Sequence, residues 1–372
     1  MNDLLAPLLD LAQKIQQIPA PPFGELERAR FVLEEMHRQG LDEAFMDEMP
    51  NVYGCLRSNR GTAAPLIVTA HLDTVFPAET ELRCLSTADR IQGPGLGDNA
   101  LGVAALFGLI WMLRQHNVDL PFDLWLIANS GEEGLGNLRG MKAVVERFGK
   151  EVTAYLVLEG MALGYIYHRG IGVQRGRITI RTPGGHPWSN PEIPSANHLL
   201  GKLITTLSAL PLPAHPRTTL NIGRLAGGNG INVIASEAWL ELDLRSESEQ
   251  VLNNLWQSIL ASTEHLHRPQ VTIEIQPLGE RPAGAIASDH PLVQLAKECL
   301  LHQGIEPTLA SASTDANIPL SRGYPALVLG ITYGGKAHTP QEFIEIPPIR
   351  QGMAQLFEFV TRVHGESHIV VI

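Results

Sequence analysis

The sequence predicts an α/β protein with a largely parallel sheet, interrupted by a smaller inserted α+β unit. Two observations carry this. Apolar runs of strand length alternate with helical segments through the first 160 residues and again after about residue 282, the pattern of βαβ units. Between them the texture changes to period-two alternation, as in GVQRGRITIRT, which marks strands with one solvated face. A third observation concerns function. Four apolar runs each lead into residues able to bind a metal: LIVTA into His71, FDLWLIA into Asn129-Ser130-Gly131-Glu132-Glu133, AYLVL into Glu159, and PALVL through a Gly-rich loop to His338. Ligand sites in open α/β sheets gather beyond the carboxyl ends of the strands, so these ends describe one site.

Residues 3–18 and 25–39 read as helices split by the breaker Pro19-Ala20-Pro21-Pro22. Short strands near 51–57 and 66–70 precede a Gly-rich stretch, GPGLGDNALG at 93–102. The segment from Asn99 to about Gln115 is apolar almost all round, as a buried helix is. A strand at 122–128, a helix near 137–148 and a strand at 154–158 complete the first half. Past residue 172 the order becomes strand, helix (about 195–209), two strands (TTLNIGRLAGG and SEAWLELDLRSES), helix (247–265) and strand (271–279), a ferredoxin-like split unit. A helix at 290–303, a strand at 325–329 and a helix near 347–363 close the chain. The expected division is 1–172 and 282–372 as one domain, with 173–281 inserted.

Composition narrows the function. Of 372 residues, 44% are apolar and 18% charged, which supports packed cores. A formal net charge of −11 argues against nucleic acid as partner. No unbroken apolar run reaches the ~18 residues of a membrane span. The N-terminus lacks the basic start and small-residue cleavage site of a signal peptide. Cys55, Cys84 and Cys299 are scattered, as reduced structural thiols in a cytosol would be. The expectation is a cytoplasmic protein.

Imidazole and carboxylate without thiolate suit zinc, or a similar ion such as cobalt or manganese, in a catalytic role. His71 and Asp73 lie two apart at a strand end, so Asp73 suits the carboxylate that orients a ligating histidine. Asp98 opens a buried helix, either as its N-cap or as a carboxylate bridging two ions. With Asp98 as bridge, the remaining donors divide evenly, His71 with Glu159 and Glu133 with His338. Two ions about 3.5–4 Å apart can activate a water and clamp the oxygen that develops charge. In the pair Glu132-Glu133, one carboxylate can bind metal while its neighbour shuttles a proton. His186, in RTPGGHPWSNPE, belongs to the insertion and could donate to a substrate oxygen. The GGNGIN stretch at 227–232 lacks the Lys-Ser/Thr of a phosphate cradle.

HLDTV, GLGDN, SGEEGLGN, YLVLEG, GGH and AHTPQE occur in that order, and in this the chain resembles the di-zinc exopeptidase and deacylase family. That family includes carboxypeptidase G, peptidase T, acetylornithine deacetylase and succinyl-diaminopimelate desuccinylase. The resemblance covers nearly the whole chain. It implies a zinc-exopeptidase-like α/β/α catalytic domain with a ferredoxin-like lid through which two copies dimerise. It implies His71, Asp98, Glu133, Glu159 and His338 as ligands of two metal ions, Glu132 as general base and Asp73 as the residue orienting His71. It also implies that His186 reaches the partner subunit's active site, and that Asn232 and Arg245 bind the substrate's carboxylate. The sequence departs from the family after Asp98, where Asn99-Ala100-Leu101 replaces a lysine-containing stretch, and at Ala235, where a proline usually stands.

The expected activity is hydrolysis of a peptide or N-acyl amide bond beside a terminal amino acid, with small peptides or N-acyl amino acids as substrates. Glu132 would take a proton from water and return it to the leaving amine, while metal and His186 stabilise the oxyanion. A peptidase is favoured over a deacylase, since no extra basic cluster accompanies the presumed carboxylate site. Two rivals are a metal-free binding protein of the same fold and an enzyme using one ion. The complete ligand set and Glu132 oppose the first, and Asp98 opposes the second.

Overall fold

The computed structural model describes residues 2–59, 61 and 63–365. It divides into two compact units, one formed by residues up to Gly170 and from Ala285 onward, the other by Ile171–Gly284.

In the first unit four adjacent strands run parallel, in the spatial order Phe122–Asn129, Ala63–His71, Ala154–Glu159 and Ala326–Gly330. Parallel strands buried on both faces read as continuous apolar runs, which is why the sequence shows them so plainly. Val52–Leu56 and Glu43–Met46 add antiparallel at one edge, so the sheet is mixed. Only five residues separate that edge pair, room for a hairpin but not for a crossover. At the other edge Tyr165–Gly170 runs antiparallel to Ala326–Gly330 and parallel to Thr308–Ala312.

Alternate side chains of the strands enter two separate cores. Leu66, Val68, Leu124, Leu126, Leu156 and Leu158 meet the helices Asn2–Gln16, Leu26–Arg38, Leu101–Gln115, Pro291–His302 and Ile349–Arg362. Ile67, Trp125, Ile127, Tyr155 and Val157 face Arg139–Phe148 and the short helix Asn317–Ser321. The result is an α/β/α sandwich. The stretch Leu96–Gln115 is long and apolar enough to cross a membrane by length and composition, but 89% of its most apolar window is buried inside the protein. Its α-helical part, Leu101–Gln115, is the central helix of the larger core.

Chain direction places the site. From Ala63–His71 the chain crosses over to the strand on one side, Phe122–Asn129; the next crossover leads to the strand on the other side, Ala154–Glu159. Such a reversal leaves a crevice at the carboxyl ends. His71, Asn129 and Glu159 terminate these three strands.

The second unit runs strand, helix, strand, strand, helix, strand: Gly172–Arg181, Ala196–Ser208, Thr218–Gly227, Glu237–Ser246, Glu249–Glu264 and Thr272–Arg281. Its sheet is wholly antiparallel. One face, with Ile178, Ile180, Leu240, Leu242 and Leu244, packs on the two helices. The opposite face carries charged pairs such as Arg175–Asp243 and Arg181–Glu237, with Arg177 stacked 3.8 Å over Trp239.

Shorter elements escaped the sequence reading. Leu85–Ser86, Arg90–Gln92, Gly334–Gly335 and Phe343–Glu345 form a small antiparallel sheet. Strands of two or three residues carry too little periodicity to be seen. This sheet pins the loop bearing His338 to the segment leading to Asp98.

Candidate active site

Five donor side chains converge beyond the strand ends. His71 Nε2 lies 3.0 Å from Asp98 Oδ1 and 3.8 Å from Glu159 Oε2. His338 Nε2 lies 3.1 Å from Asp98 Oδ2 and 3.3 Å from Glu133 Oε1. Asp98 thus turns one oxygen to each histidine. It lies in a turn before the helix Leu101–Gln115, where its own backbone is not helical. Its side chain serves the cluster, and the structure records no side-chain cap at either helical segment that meets there.

These separations fit metal ligands. Donors at ~2.1 Å from one ion, at tetrahedral angles, lie about 3.4 Å apart, and the four distances bracket that value. Donor atoms of His71, Asp98 and Glu133 all lie within 4.8 Å of one another. Two imidazoles, three carboxylates and no thiol form a set suited to hard or borderline divalent ions.

Asp73 acts differently from the sequence expectation. His71 Nδ1 sits 2.9 Å from the backbone carbonyl of Asp73, while the Asp73 carboxylate is 3.8 Å away. The carboxylate instead accepts the backbone N–H groups of Glu132 and Glu133, at 2.9 and 2.8 Å. A two-residue spacing allows the reach toward the ring, but the neighbouring turn presents two N–H donors and takes both oxygens. Asp73 therefore orients His71 through its main chain and holds the Glu132-Glu133 turn through its side chain. Glu132 is buried. Gly131, at φ 73°, makes the turn possible, since a Cβ there would collide with the Arg139 guanidinium.

Three residues to which the sequence reading gave no role, Asn99, Arg28 and Glu342, support this constellation. Asn99 donates to Leu158 O (2.8 Å) and accepts from Gly160 N (2.8 Å), bracketing Glu159 and drawing its strand end against the Asp98 turn. Gly160 has no room for a side chain, because a Cβ would strike Gly97 O. Arg28 is buried and donates to Leu72 O at 2.6 Å, between His71 and Asp73; burial lowers its pKa to about 10 against the attraction of Asp73. Glu342 is fully buried, and burial, reinforced by Asp98, pushes its carboxyl up to about 7. Its place in AHTPQE was the available signal.

The protonation pattern follows from this crowding. Burial works against charge on His71, yet its hydrogen bonds to Asp98 and Glu159 hold its pKa well above the usual range. Hydrogen bonds to Asp98 and Glu133 raise His338 to about 10. Burial opposes ionisation of Asp98, but the two histidines hold it well below the ordinary carboxylate range. Burial raises Glu159 despite its contact with His71. Asp315, buried and hydrogen-bonded to Asn129 at 2.7 Å, is pushed up to about 7 by desolvation.

In the second unit His186 is exposed on the loop after Gly172–Arg181, with Nδ1 accepting the Trp188 N–H at 3.2 Å. A bridge between Gly185 and Ile234 brings that loop beside the turn bearing Asn232. Arg245 stands elsewhere. It pairs in register with Val173 near the opposite end of strand Glu237–Ser246 and binds Asp243 at 2.8 Å. Eight residue steps of extended chain carry it from Glu237, about 26 Å. The structure groups His186 with Asn232 and sets Arg245 apart.

A family model described as Peptidase family M20/M25/M40 matches residues 67–362, most of the chain. Succinyl-diaminopimelate desuccinylase of Corynebacterium glutamicum is 26% identical over 277 residues, covering 70% of this chain and 72% of that protein. The solved aminopeptidase PepT of Bacillus cereus superposes with a TM-score of 0.81 at 22% identity, covering 96% and 98% of the two chains. The Bacillus subtilis YXEP protein, described as a dinuclear metal binding peptidase, superposes with a TM-score of 0.70 at 16% identity over 97% and 98%.

Proposed function

The chain belongs to peptidase family M20/M25/M40 and is a metal-dependent hydrolase of peptide or acyl-amide bonds; from that premise we propose how its residues divide the work. His71, Asp98, Glu133, Glu159 and His338 would hold two divalent ions, zinc for preference, with Asp98 shared between them. The observation that carries this is the placing of the Asp98 oxygens, 3.0 and 3.1 Å from two different histidines. When bound, the ions would supply Lewis-acid polarisation of the scissile carbonyl and make water acidic enough to attack near neutrality.

Glu132 is the general base. Asp73 fixes its backbone N–H, so the side chain has one turn geometry from which to take the water's proton and hand it to the leaving amine. His186 stabilises the oxyanion from the lid of a partner subunit, and the protein works as a homodimer in the cytoplasm. Asn232 and Arg245 hold the substrate's terminal carboxylate. Asn232 sits on the turn before strand Glu237–Ser246 and Arg245 near the far end of that strand, so one carboxylate meeting both would take them from two lids, which supports the dimer reading.

The substrate is a small peptide or an N-acylated amino acid. Peptides are the preferred reading, since Arg175, Arg177 and Arg181 on the lid sheet are already engaged by Asp243, Glu241 and Glu237, leaving no added basic cluster there to favour a deacylase. Zinc-loaded protein assayed with dipeptides, tripeptides and N-acetyl amino acids should release free amino acids. Glu132→Gln should lower turnover by orders of magnitude while metal content stays near wild type; loss of the metals instead would exchange the roles of Glu132 and Glu133.

A further inference from the structure

Glu342 lies four residues past His338 and has no part in the roles above. Its side chain is wholly buried, and Oε1 accepts the backbone N–H groups of Gly97 (2.8 Å) and Asp98 (3.0 Å). Oε2 is buried with no hydrogen-bond partner among the described residues. The main chain of Glu342 joins the same segments. Its carbonyl accepts the Gly93 N–H at 2.9 Å, and its own N–H donates to Thr339 O at 3.0 Å, closing the turn that follows His338. Phe343–Glu345 then pairs with Arg90–Gln92. His338 itself has φ 63°, a left-handed conformation costly for a non-glycine residue unless its surroundings enforce it.

Burying a carboxylate is expensive even when it is hydrogen-bonded, more than an ordinary loop contact requires. What this one secures is the backbone of Asp98 on one side and the His338 turn on the other. We propose that Glu342 is a positioning residue of the metal site, fixing where Asp98 presents its two oxygens and coupling that placement to His338. The inference rests on the reading of Asp98 and His338 as metal ligands.

Zinc titrations of chelator-stripped protein against a competing chromophoric chelator would test it, alongside thermal unfolding of the stripped protein. In E342Q the amide oxygen can accept both N–H groups, so zinc affinity should stay within about threefold of wild type. E342D, one methylene short of the Asp98 turn, and E342A should each lose about 10- to 100-fold, the usual effect of removing a group that orients metal ligands. A merely structural role would lower the unfolding temperature of the stripped protein and leave zinc affinity unchanged, which overturns the proposal. So would E342Q losing as much affinity as E342D, because charge rather than placement would then matter. Should E342A fail to fold, the comparison of E342Q with E342D decides. A wild-type protein that takes up no zinc would overturn the metal reading and this inference with it; normal uptake by both wild type and E342D would remove this inference alone.

Discussion

Metal loading should expel protons from this protein, and their number follows from the geometry. Without metal, His71 is held charged by Asp98 and Glu159, and His338 by Asp98 and Glu133 with a pKa of about 10. At pH 7.5 the His338 imidazole, some 2.5 units below that value, is more than ~99% protonated. An ion needs the neutral ring, so filling the site displaces about two protons from the histidines, and any proton still held by Glu159 adds to them. Calorimetric titration with zinc in buffers of different ionisation enthalpy measures this directly. The observed heat should vary with buffer, with a slope near two protons per chain at pH 7.5. Affinity should rise about tenfold per pH unit for each proton released. Metal-free stability should run the other way. A histidine whose folded pKa is raised contributes stability fully present below its unfolded value, near 6.5, and lost as pH rises toward about 10. Asp98, whose pKa is depressed, contributes above its unfolded value and loses that contribution in acid. The stripped protein should therefore weaken from pH 6.5 upward while metal binding strengthens. Heats independent of buffer would show the rings neutral before metal arrives and refute the network as described.

Three further outcomes are expected. Protein purified without chelator should carry close to two ions per chain by elemental analysis, and Asp98→Ala should lose most of both; one tightly held ion unaffected by the change would remove the bridge. Asp73→Asn places an amide donor against a backbone N–H of Glu132 or Glu133, costing about 1–3 kcal/mol in chemical unfolding; unchanged stability and turnover would deny Asp73 its hold on that turn. His186→Ala should keep metals and fold but lose turnover equivalent to roughly 2.7–4 kcal/mol. Allowing its subunits to exchange with Glu132→Gln should restore activity to one site per mixed dimer, and heterodimers as inactive as either parent would place His186 outside the partner's site.

Much of the site was legible because parallel strands buried on both faces leave long apolar runs whose ends are visible. His71, the Asn129–Glu133 turn and Glu159 come straight from those ends. Less legible was everything that depends on which main-chain groups a turn leaves free. Asp73 sits two residues from His71, and spacing assigned its carboxylate to the imidazole; the N–H groups of residues 132 and 133, some sixty positions away, take it instead. Glu342 reaches across 244 positions to Asp98, through a sheet whose strands are too short to show periodicity. Asn99 looked like a departure from the family pattern and proves to bracket the strand end at Glu159. In the second unit, the resemblance assigns Asn232 and Arg245 to one substrate carboxylate, and only the strand register shows how far apart they stand within one chain.

Charge balance gives a reason for two ions rather than one. Counted formally, Asp73, Asp98, Glu132, Glu133 and Glu159 bring five negative charges into one crevice, beside Asp315, whose carboxyl burial pushes up to about 7, and against the buried guanidinium of Arg28. Two imidazolium ions reduce the formal excess to two negative charges, so the histidines are held protonated far above their usual range. Replacing those two protons with one divalent ion leaves the excess where it was. Replacing them with two brings the crevice to formal neutrality while freeing both ring nitrogens to ligate. Buried charge is costly unless compensated, so the arrangement of carboxylates favours double occupancy, with Asp98 the only one of the five within 3.1 Å of both histidines.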